Sequence, residues 1–362
     1  MLSDRLCNTL IELVGIPSTS GHEEQIRHYL EERLSTFGLP ITVDATGNLI
    51  CTIPGEGKPI LLNAHMDRVP PGLGHRPILR EGILYSDGTT NLGADDAAGI
   101  TIILEILTRI LEQRLPHPPL IILFTVQEEA GLCGANMFDP TPYNVTDGIV
   151  FDNAFEAGTV VSQGASYEAF DISITGRTGH PGKDLTQTVN AIEIFRATQY
   201  PHGSLANDQT RLLIGRINGG SARNAVPATL TLEGELRSFE PAAARQHYLQ
   251  QIRQAFEQTA KKYGGSAAMT ITTHSTGYAI DENEPLLQLY KQVLTQRGAQ
   301  LHLKPTFIGS DTSGFRPSIK AFTLSTGVVN EHSVEEYVPI APLEQVVQDM
   351  LRVLEILRGV SS

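Results

Sequence analysis

The feature that most constrains the fold is a pair of continuous apolar runs that each end in polar residues. Residues 61–64 lead directly into His65 and Asp67, and residues 120–126 lead into Glu128-Glu129. Continuous apolar runs are typical of strands that are buried on both faces of a mostly parallel sheet. Because open α/β sheets keep their sites at the carboxyl ends of the strands, we expect these polar residues to share one edge.

The remaining pattern predicts two domains, one inserted into the other. Helical and strand-like segments alternate through the first part of the chain, and from about Glu168 a β-α-β-β-α-β order follows that is typical of the ferredoxin-like split unit. The α/β pattern then returns. We therefore predict an α/β domain with a mixed, mostly parallel sheet flanked by helices at residues 1–167 and 277–362, interrupted by an inserted ferredoxin-like α+β domain at residues 168–276.

Two local features complete the prediction of secondary structure. The run from Ser20 to Glu23 offers a cap for a helix over residues 23–37. The stretch from Val69 to about Asn91 is rich in Pro and Gly and is predicted to be a long loop, which in a compact domain is usually functional.

Composition excludes several classes of protein. The chain has 27 Lys and Arg against 40 Asp and Glu, so it lacks the basic surface that binds nucleic acid. Cys7, Cys51 and Cys133 are isolated, which favours free thiols in the cytoplasm over a disulfide framework or a zinc finger. No apolar run approaches the ~20 residues of a membrane-spanning helix, and we expect no membrane partner.

Several clusters of acidic residues and histidine are expected to meet at the carboxyl edge of the sheet. A solvated strand end would explain any one of them, but four independent strands or turns deliver such residues toward the same edge. The mixture of histidine and carboxylate suits zinc, whereas octahedral Mg²⁺ favours oxygen ligands alone. These four clusters are His65-x-Asp67, Asp95-Asp96, Glu128-Glu129 and Asp152, and a fifth, Asn330-Glu331-His332-Ser333, follows far downstream.

Taken together, these motifs resemble the peptidase T-like branch of the dinuclear-zinc aminopeptidases, carboxypeptidases and aminoacylases. The resemblance covers essentially the whole chain, including the insertion. It implies a zinc-peptidase-like catalytic domain with an inserted lid or dimerisation domain. It also implies two Zn²⁺ per chain, with Co²⁺ or Mn²⁺ as substitutes, and a short peptide as the substrate.

The resemblance assigns a role to each clustered residue. His65 and Asp152 would bind one zinc, Glu129 and His332 the other, and Asp95 would bridge both. Asp67 would orient His65. Glu128 would be the general base for a water that bridges the two zinc ions. The family also tends to have a cis peptide bond after the bridging aspartate, here Asp95-Asp96.

The resemblance further assigns four positions in and around the insertion. His180, in Thr178-Gly179-His180-Pro181-Gly182, would donate a hydrogen bond to the oxyanion of the tetrahedral intermediate. Asn224 and Arg237 would hold the substrate backbone or carboxylate, and Gly309 lies in a loop near the substrate. In many relatives the lid domain forms a homodimer, sometimes lending its histidine across the interface.

The leading hypothesis is a cytoplasmic di-zinc aminopeptidase, similar to the tripeptidases, that acts on short peptides. An Arg-Gly-Gly type loop that true tripeptidases carry is replaced here by residues 307–311. Two alternatives therefore stay open within the same chemistry, namely a di-zinc carboxypeptidase and an N-acyl amino acid amidohydrolase. A third is a catalytically silent relative that serves in binding or assembly.

Overall fold

We describe the protein from a computed structural model that covers residues 2–70, 73–152, 155–183, 185–316 and 318–359. The chain divides into two compact units. The larger comprises residues 1–164 and 278–362, and the smaller comprises residues 165–277. The sequence had placed the insertion at 168–276. Short 3₁₀ turns lie at Thr141–Tyr143 and Leu185–Gln187.

The helices and strands are numbered in chain order. The α-helices are α1 (Leu2–Val14), α2 (Glu24–Ser35), α3 (Ala94–Gln113), α4 (Cys133–Met137), α5 (Ala191–Ala197), α6 (Ala242–Lys262), α7 (Pro285–Gln296), α8 (Thr312–Phe315) and α9 (Ile340–Leu357). The strands are β1 (Ile41–Val43), β2 (Leu49–Ile53), β3 (Ile60–His65), β4 (Ile78–Arg80), β5 (Ile83–Tyr85), β6 (Leu120–Thr125), β7 (Asp147–Asp152), β8 (Val160–Gly164), β9 (Ser166–Thr175), β10 (Gly203–Leu205), β11 (Thr210–Gly219), β12 (Thr229–Ser238), β13 (Ser266–Ser275), β14 (Tyr278–Ala279), β15 (Leu303–Thr306), β16 (Lys320–Ser325) and β17 (Tyr337–Pro339).

The larger unit is built on a mixed sheet with strand order β1-β2-β6-β3-β7-β16-β8-β14, and β15 also pairs with β8. The central strands β6, β3, β7 and β16 run parallel to one another. The flanking strands β2 and β8 pair antiparallel with β6 and β16. Strands β3 and β6 are buried along their whole length. This burial explains why their sequences are largely apolar and do not alternate. The predicted α/β fold is confirmed.

Helix α3 is the central helix of this unit. Its residues from Ala94 to Ile110 are all buried, because α1 and α9 pack on it and it packs on β3 and β7. A helix that is enclosed in this way needs no polar face. A second apolar cluster that includes Leu61, Leu123 and Phe315 forms a separate part of the core. The parallel strands are therefore held firmly at the edge where the polar clusters emerge.

The smaller unit is an antiparallel sheet with strand order β10-β11-β12-β9-β13. Side chains of β9 alternate between buried and less buried positions. The buried side contributes Phe170 and Ile172 to a core that also contains Ile252 and Phe256 of α6. The arrangement of β11, β12, β9 and β13 is that of the ferredoxin-like fold, as the sequence predicted.

The prediction of one long loop from Val69 to about Asn91 was wrong in its middle. Strands β4 and β5 form a hairpin there, and β5 pairs with β17 more than two hundred residues downstream. Each of these strands is only three residues long, which is too short to produce a recognisable alternation. Only their pairing in the folded structure identifies these three segments as strands.

Within the described ranges, no helix combines the length and the apolar composition that crossing a membrane requires.

Candidate metal centre

The predicted ligands lie around the carboxyl edge of the parallel strands. His65 is the last residue of β3, and Asp152 is the last residue of β7. Glu129 follows the end of β6, and Asp95 lies in the first turn of α3. His332 lies between β16 and β17. Neighbouring parallel strands end at the same edge, so residues far apart in sequence are brought into one neighbourhood.

One group contains His65, Asp95 and Asp152. One potential ligand atom from each residue lies within 4.8 Å of the other two. His65 Nε2 is 3.7 Å from Asp95 Oδ1 and 3.8 Å from Asp152 Oδ1. All three residues are at least nine-tenths buried. An imidazole and two carboxylates at these separations offer a suitable donor set for one divalent cation.

A second group contains Asp95, Glu129 and His332. His332 Nε2 lies 2.7 Å from Glu129 Oε1 and 3.4 Å from Asp95 Oδ2, and the three potential ligand atoms again lie within 4.8 Å of one another. The His332 side chain is 43% exposed. Asp95 thus belongs to both groups, with Oδ1 toward His65 in the first and Oδ2 toward His332 in the second.

The charges in this region are poorly balanced by protein groups alone. Burial, together with repulsion from Asp95, raises the pKa of Asp152 well above its ordinary value. Hydrogen bonds to Asp95 and Glu129 raise the pKa of His332 to about 10. Asp95 Oδ1 is buried and forms no hydrogen bond within the described residues. Crowded carboxylates, one of them with the unpaired oxygen Asp95 Oδ1, favour a bound positive charge, and two divalent cations fit the donor set.

Asp67 holds His65 and the turn after β6 in place. His65 Nδ1 lies 3.3 Å from Asp67 Oδ1 and 3.0 Å from the Asp67 carbonyl oxygen. The Asp67 carboxylate also accepts hydrogen bonds from the backbone N–H groups of Glu128 and Glu129, at 2.9 and 3.1 Å. With Nδ1 occupied in this way, Nε2 of His65 is left to face the carboxylates.

Ser20 also contributes to this arrangement, and its predicted role was wrong. Helix α2 begins at Glu24, and no side chain caps its first turn. Ser20 Oγ instead donates a 2.6 Å hydrogen bond to Asp67 Oδ2. Burial opposes ionisation of Asp67, but its bonds to His65 and Ser20 outweigh burial and lower its pKa. Asp67 therefore stays ionised beside His65.

Glu128 lies beside the two groups without belonging to either. One of its carboxylate oxygens is within 4.8 Å of ligand atoms of His65 and Glu129, and the residue is 9% exposed. Burial raises its pKa well above that of a free glutamate, with repulsion from Glu129 and Asp311 acting in the same direction. A carboxyl group with a raised pKa holds a proton more strongly than a free glutamate does, which suits it to accept a proton from water.

The turn that carries Asp95 is held by hydrogen bonds between the Asp96 carboxylate and backbone N–H groups. The Asp95-Asp96 peptide bond is cis, as the resemblance implied. Asp96 accepts hydrogen bonds from the N–H groups of His65 and Gly99, at 3.3 and 3.0 Å. Gly93 has a φ of +72°, and a Cβ atom there would approach Arg68 Cδ to 2.9 Å. Glycine is therefore required at the start of α3.

A buried carboxylate joins this turn to the loop that carries His332. Glu336 Oε2 accepts the N–H groups of Leu92 and Gly93, at 2.8 and 2.9 Å. Its Oε1 accepts those of Ala94 and Asp95, at 2.8 and 3.2 Å. Asp95 and Asp96 have non-helical backbone angles, so these four N–H groups lie in an irregular turn before the regular part of α3. The Glu336 carboxylate is the acceptor that these buried N–H groups require. Sequence analysis missed Glu336, although its position four residues after His332 was the available signal.

Gly309 lies in the loop between β15 and α8, and a Cβ atom there would meet no atom of the described residues within 4 Å. The neighbouring Asp311 is buried and accepts a hydrogen bond from Thr125 Oγ1 at the end of β6. Burial raises the pKa of Asp311 to about 6. An ionised Asp311 repels the Glu128 carboxylate and helps to raise its pKa, a role that the sequence did not reveal.

Three further predicted site residues belong to the smaller unit. His180 and Asn224 are exposed, and His180 Nδ1 accepts the Gly182 N–H at 3.1 Å. Arg237 Nε lies 3.1 Å from Glu235 Oε1, and the Arg237 guanidinium lies 4.5 Å from the centre of the Tyr167 ring. Arg237 therefore has local partners within its own unit, in addition to any role in binding substrate.

Comparison with proteins of known structure finds the same fold over nearly the whole chain. A tripeptidase from Staphylococcus aureus superposes with a TM-score of 0.92 at 31% identity, covering 99% of both chains. Aminopeptidase PepT from Bacillus cereus superposes with a TM-score of 0.87 at 28% identity, covering 98% of both chains.

Comparison of sequences also finds similarity to peptidases. Peptidase T of Escherichia coli K12 is 24% identical over an alignment of 397 positions that covers 94% of this chain and 93% of that protein. The family model described as Peptidase family M20/M25/M40 matches residues 61–356.

Proposed function

The chain belongs to Peptidase family M20/M25/M40, and from that premise we propose that it is a di-zinc aminopeptidase that removes N-terminal residues from short peptides. The observation that carries this proposal is the pair of histidine–carboxylate groups that share Asp95, with Glu128 beside them. In the proposal, His65 and Asp152 hold one zinc, Glu129 and His332 hold the other, and Asp95 bridges them. The fit of both groups to divalent cations supports it.

Different residues of the site perform different parts of the proposed hydrolysis. Two bound cations would supply Lewis acidity toward the scissile carbonyl and the attacking water. Glu128 accepts the proton of that water and returns it to the leaving amine, so its carboxyl group begins and ends the cycle ionised. Asp67 keeps His65 in the tautomer and orientation that present Nε2 to the centre. This scheme requires no covalent acyl-enzyme.

Residues around the substrate complete the proposal. His180 donates a hydrogen bond to the oxyanion of the tetrahedral intermediate. Asn224 and Arg237 hold the backbone or carboxylate of the peptide, and Gly309 leaves space beside it. The absence of any Cβ contact at Gly309 and the suitability of a guanidinium for gripping a carboxylate support these assignments. The inserted domain then acts as a lid that excludes long substrates and water.

We assign zinc as the metal because imidazole and carboxylate occur together in each group, with Co²⁺ and Mn²⁺ as substitutes. We also propose that the protein acts in the cytoplasm. Free cysteines support this location, since Cys7 and Cys51 are buried thiols without a disulfide partner in the described chain.

We expect the protein to hydrolyse trialanine with kcat/KM at least about tenfold higher than N-acetyl-trialanine, because an aminopeptidase recognises the free α-amine. The measurement is amine release from both peptides by the zinc-loaded enzyme. A matched sample treated with a chelator should be inactive, and added Zn²⁺ should restore activity. Faster turnover of the acetylated peptide would instead indicate an N-acyl amidohydrolase or a carboxypeptidase. No turnover of either peptide would favour a silent relative.

We further propose that the inserted domain forms a homodimer through the outer edge of β11. Strand β10 pairs only with residues 210–212 of β11, so within the described residues the edge over 213–219 lacks a strand partner. Leu213 and Ile217 on this strand are 47% and 51% exposed. Open edges with apolar side chains favour pairing with a second chain.

The expected result is that the wild type sediments as a dimer and that Ile217→Lys sediments as a monomer. A buried lysine would be costly at a paired edge. Val334→Lys is the matched control, because Val334 is 47% exposed in the larger unit, and it should leave the dimer intact. Sedimentation velocity distinguishes the two species. A monomeric wild type at micromolar concentration would contradict the proposed interface.

A further inference from the structure

The backbone that carries Glu128 is held by side-chain acceptors. Strand β6 ends at Thr125, and each of the four backbone N–H groups that follow donates to a side-chain oxygen. Because these N–H groups have left the sheet, they need such acceptors. The acceptors are Asn48 Oδ1 for Val126 at 3.1 Å, Glu23 Oε1 for Gln127 at 3.1 Å, and the Asp67 carboxylate for Glu128 and Glu129 at 2.9 and 3.1 Å.

Glu23 is the acceptor for the residue directly before Glu128. It is only 4% exposed, and its Oε1 also accepts the Gly21 N–H at 2.9 Å. Although Glu23 immediately precedes α2, its side chain makes no capping hydrogen bond to that helix. A buried carboxyl group is stable when it is hydrogen-bonded, and here the bonds go to the Gly21 and Gln127 N–H groups. Glu23 therefore serves the turn after β6 and not the helix that it precedes.

The conformation of Gln127 explains why this turn needs support. Gln127 has a φ of +53°, a left-handed conformation that residues other than glycine adopt at a cost in free energy. Its N–H group is bound by Glu23, and its carbonyl oxygen accepts the Cys133 N–H at 3.0 Å. The peptide groups on both sides of Gln127 are thus fixed. Since the backbone angles of Gln127 determine where the next residue points, these bonds set the direction of Glu128.

The loop that carries Glu23 is itself bound to the segment after β3. Arg68 N–H donates to the Ser18 carbonyl oxygen at 2.9 Å, and Ser20 N–H donates to the Arg68 carbonyl oxygen at 3.3 Å. The loop from Ser18 to Glu23 therefore contacts both the segment after β3 and the turn after β6. Through this loop, the turn that carries the proposed base is tied to the strand that ends at His65.

We propose that Glu23 is a positioning residue for Glu128. By accepting the Gln127 N–H, it holds the turn in the conformation that directs the Glu128 carboxylate toward the metal centre. The consequence for catalysis rests on the proposed function, in which Glu128 is the base. Glu23 itself transfers no proton and binds no metal. It needs only an acceptor oxygen, so a neutral amide should replace it.

The first test compares two substitutions of similar size in the full-length, zinc-loaded protein. Glu23→Met removes the acceptor, whereas Glu23→Gln keeps an acceptor oxygen. We expect Glu23→Met to lower kcat for trialanine by about 10- to 100-fold, because small misplacements of a catalytic group have effects of this size. KM should change by less than about threefold. Glu23→Gln should restore kcat to within about threefold of the wild-type value.

Glu24→Ala is the matched control, since Glu24 is the next residue and is exposed. It should have the kcat of the wild type. Elemental analysis of the same samples checks that the metal content is equal. A wild-type kcat in Glu23→Met, or equal losses in Glu23→Met and Glu23→Gln, would overturn the proposal.

The second test asks whether Glu23 acts through Glu128. If it does, adding Glu23→Met to the Glu128→Gln variant should lower kcat by less than about threefold further, because the group that it positions is already gone. A further loss as large as that in the wild-type background would show that Glu23 supports the site or the fold in another way. That result would contradict the proposed positioning role.

The third test does not depend on activity. Hydrogen–deuterium exchange with mass spectrometry on the metal-free protein follows the N–H groups of residues 126–129. We expect them to be protected in the wild type and in Glu23→Gln, and to exchange about tenfold faster or more in Glu23→Met. Equal exchange in Glu23→Met and the wild type would overturn the proposal. Unprotected N–H groups in the wild type would do the same, and this measurement decides if Glu23→Met fails to fold. If exchange responds as expected but the wild type does not cleave trialanine, the proposed function is wrong and the positioning of Glu128 by Glu23 is supported.

Discussion

Replacing Glu128 with glutamine is expected to lower kcat for trialanine by about 10²- to 10⁴-fold, the usual contribution of a general base. The amide has nearly the same shape but cannot accept the proton of the attacking water. Metal binding should survive, because Glu128 belongs to neither of the groups that share Asp95. Removing one buried carboxylate from a crowded region should also leave the fold intact, since burial and repulsion already raise the pKa of Glu128.

The neighbouring Glu129 provides a matched control for this experiment. Glu129 Oε1 lies 2.7 Å from His332 Nε2, so Glu129→Gln should lose metal as well as activity. Steady-state kinetics and elemental analysis of both variants separate a base from a ligand. Less than tenfold loss of activity in Glu128→Gln with both metals retained would mean that another group is the base. If the wild type itself is inactive, the silent alternative gains support.

The sequence predicted those parts of the molecule that depend on local pattern and on the geometry of parallel sheets. The apolar runs of β3 and β6 indicated buried strands, and the polar residues after them indicated one shared edge. The structure brings His65, Asp95 and Asp152 together there, although the roles of these residues in metal binding remain proposals. Spacing alone could not have shown that Glu129 joins the group of Asp95 and His332 while Glu128 does not, because adjacent side chains diverge only once the turn after β6 is fixed.

Contacts between residues that are distant in sequence were beyond the sequence argument. Ser20 looked like a helix cap because its neighbours have capping character, yet its hydroxyl donates to Asp67. The three-residue strand β5 is held between β4 and the distant β17, which pair with it on either side. Glu336 and its four N–H partners are more than 240 residues apart. No local sequence pattern predicts such a contact, because the residues around each partner give no sign of the other partner.

Replacing Glu336 with alanine is expected to lower the free energy of unfolding by roughly 3–5 kcal/mol, because it removes a buried carboxylate that accepts four N–H groups. Those N–H groups at the start of α3 would lose their partners. Glu336 also interacts favourably with the buried Arg68 guanidinium, whose pKa burial lowers to about 10. Urea denaturation of the metal-free protein measures this effect. Glu335→Gln is the control, since Glu335 is exposed.

The same substitution tests whether Glu336 positions the metal centre or serves the fold alone. Its carboxylate joins the turn that carries Asp95 to the segment that follows His332, so losing it should loosen both proposed ligands. We expect the affinity for Zn²⁺ to fall by about 10- to 100-fold, as for other groups that orient ligands. Glu336→Gln should behave similarly, because an amide nitrogen would face two N–H donors that now meet Oε2. Competition with a chromogenic chelator, at temperatures where the variants are folded, measures this affinity. If stability falls while zinc affinity equals that of Glu335→Gln, Glu336 supports only the fold and does not position the ligands.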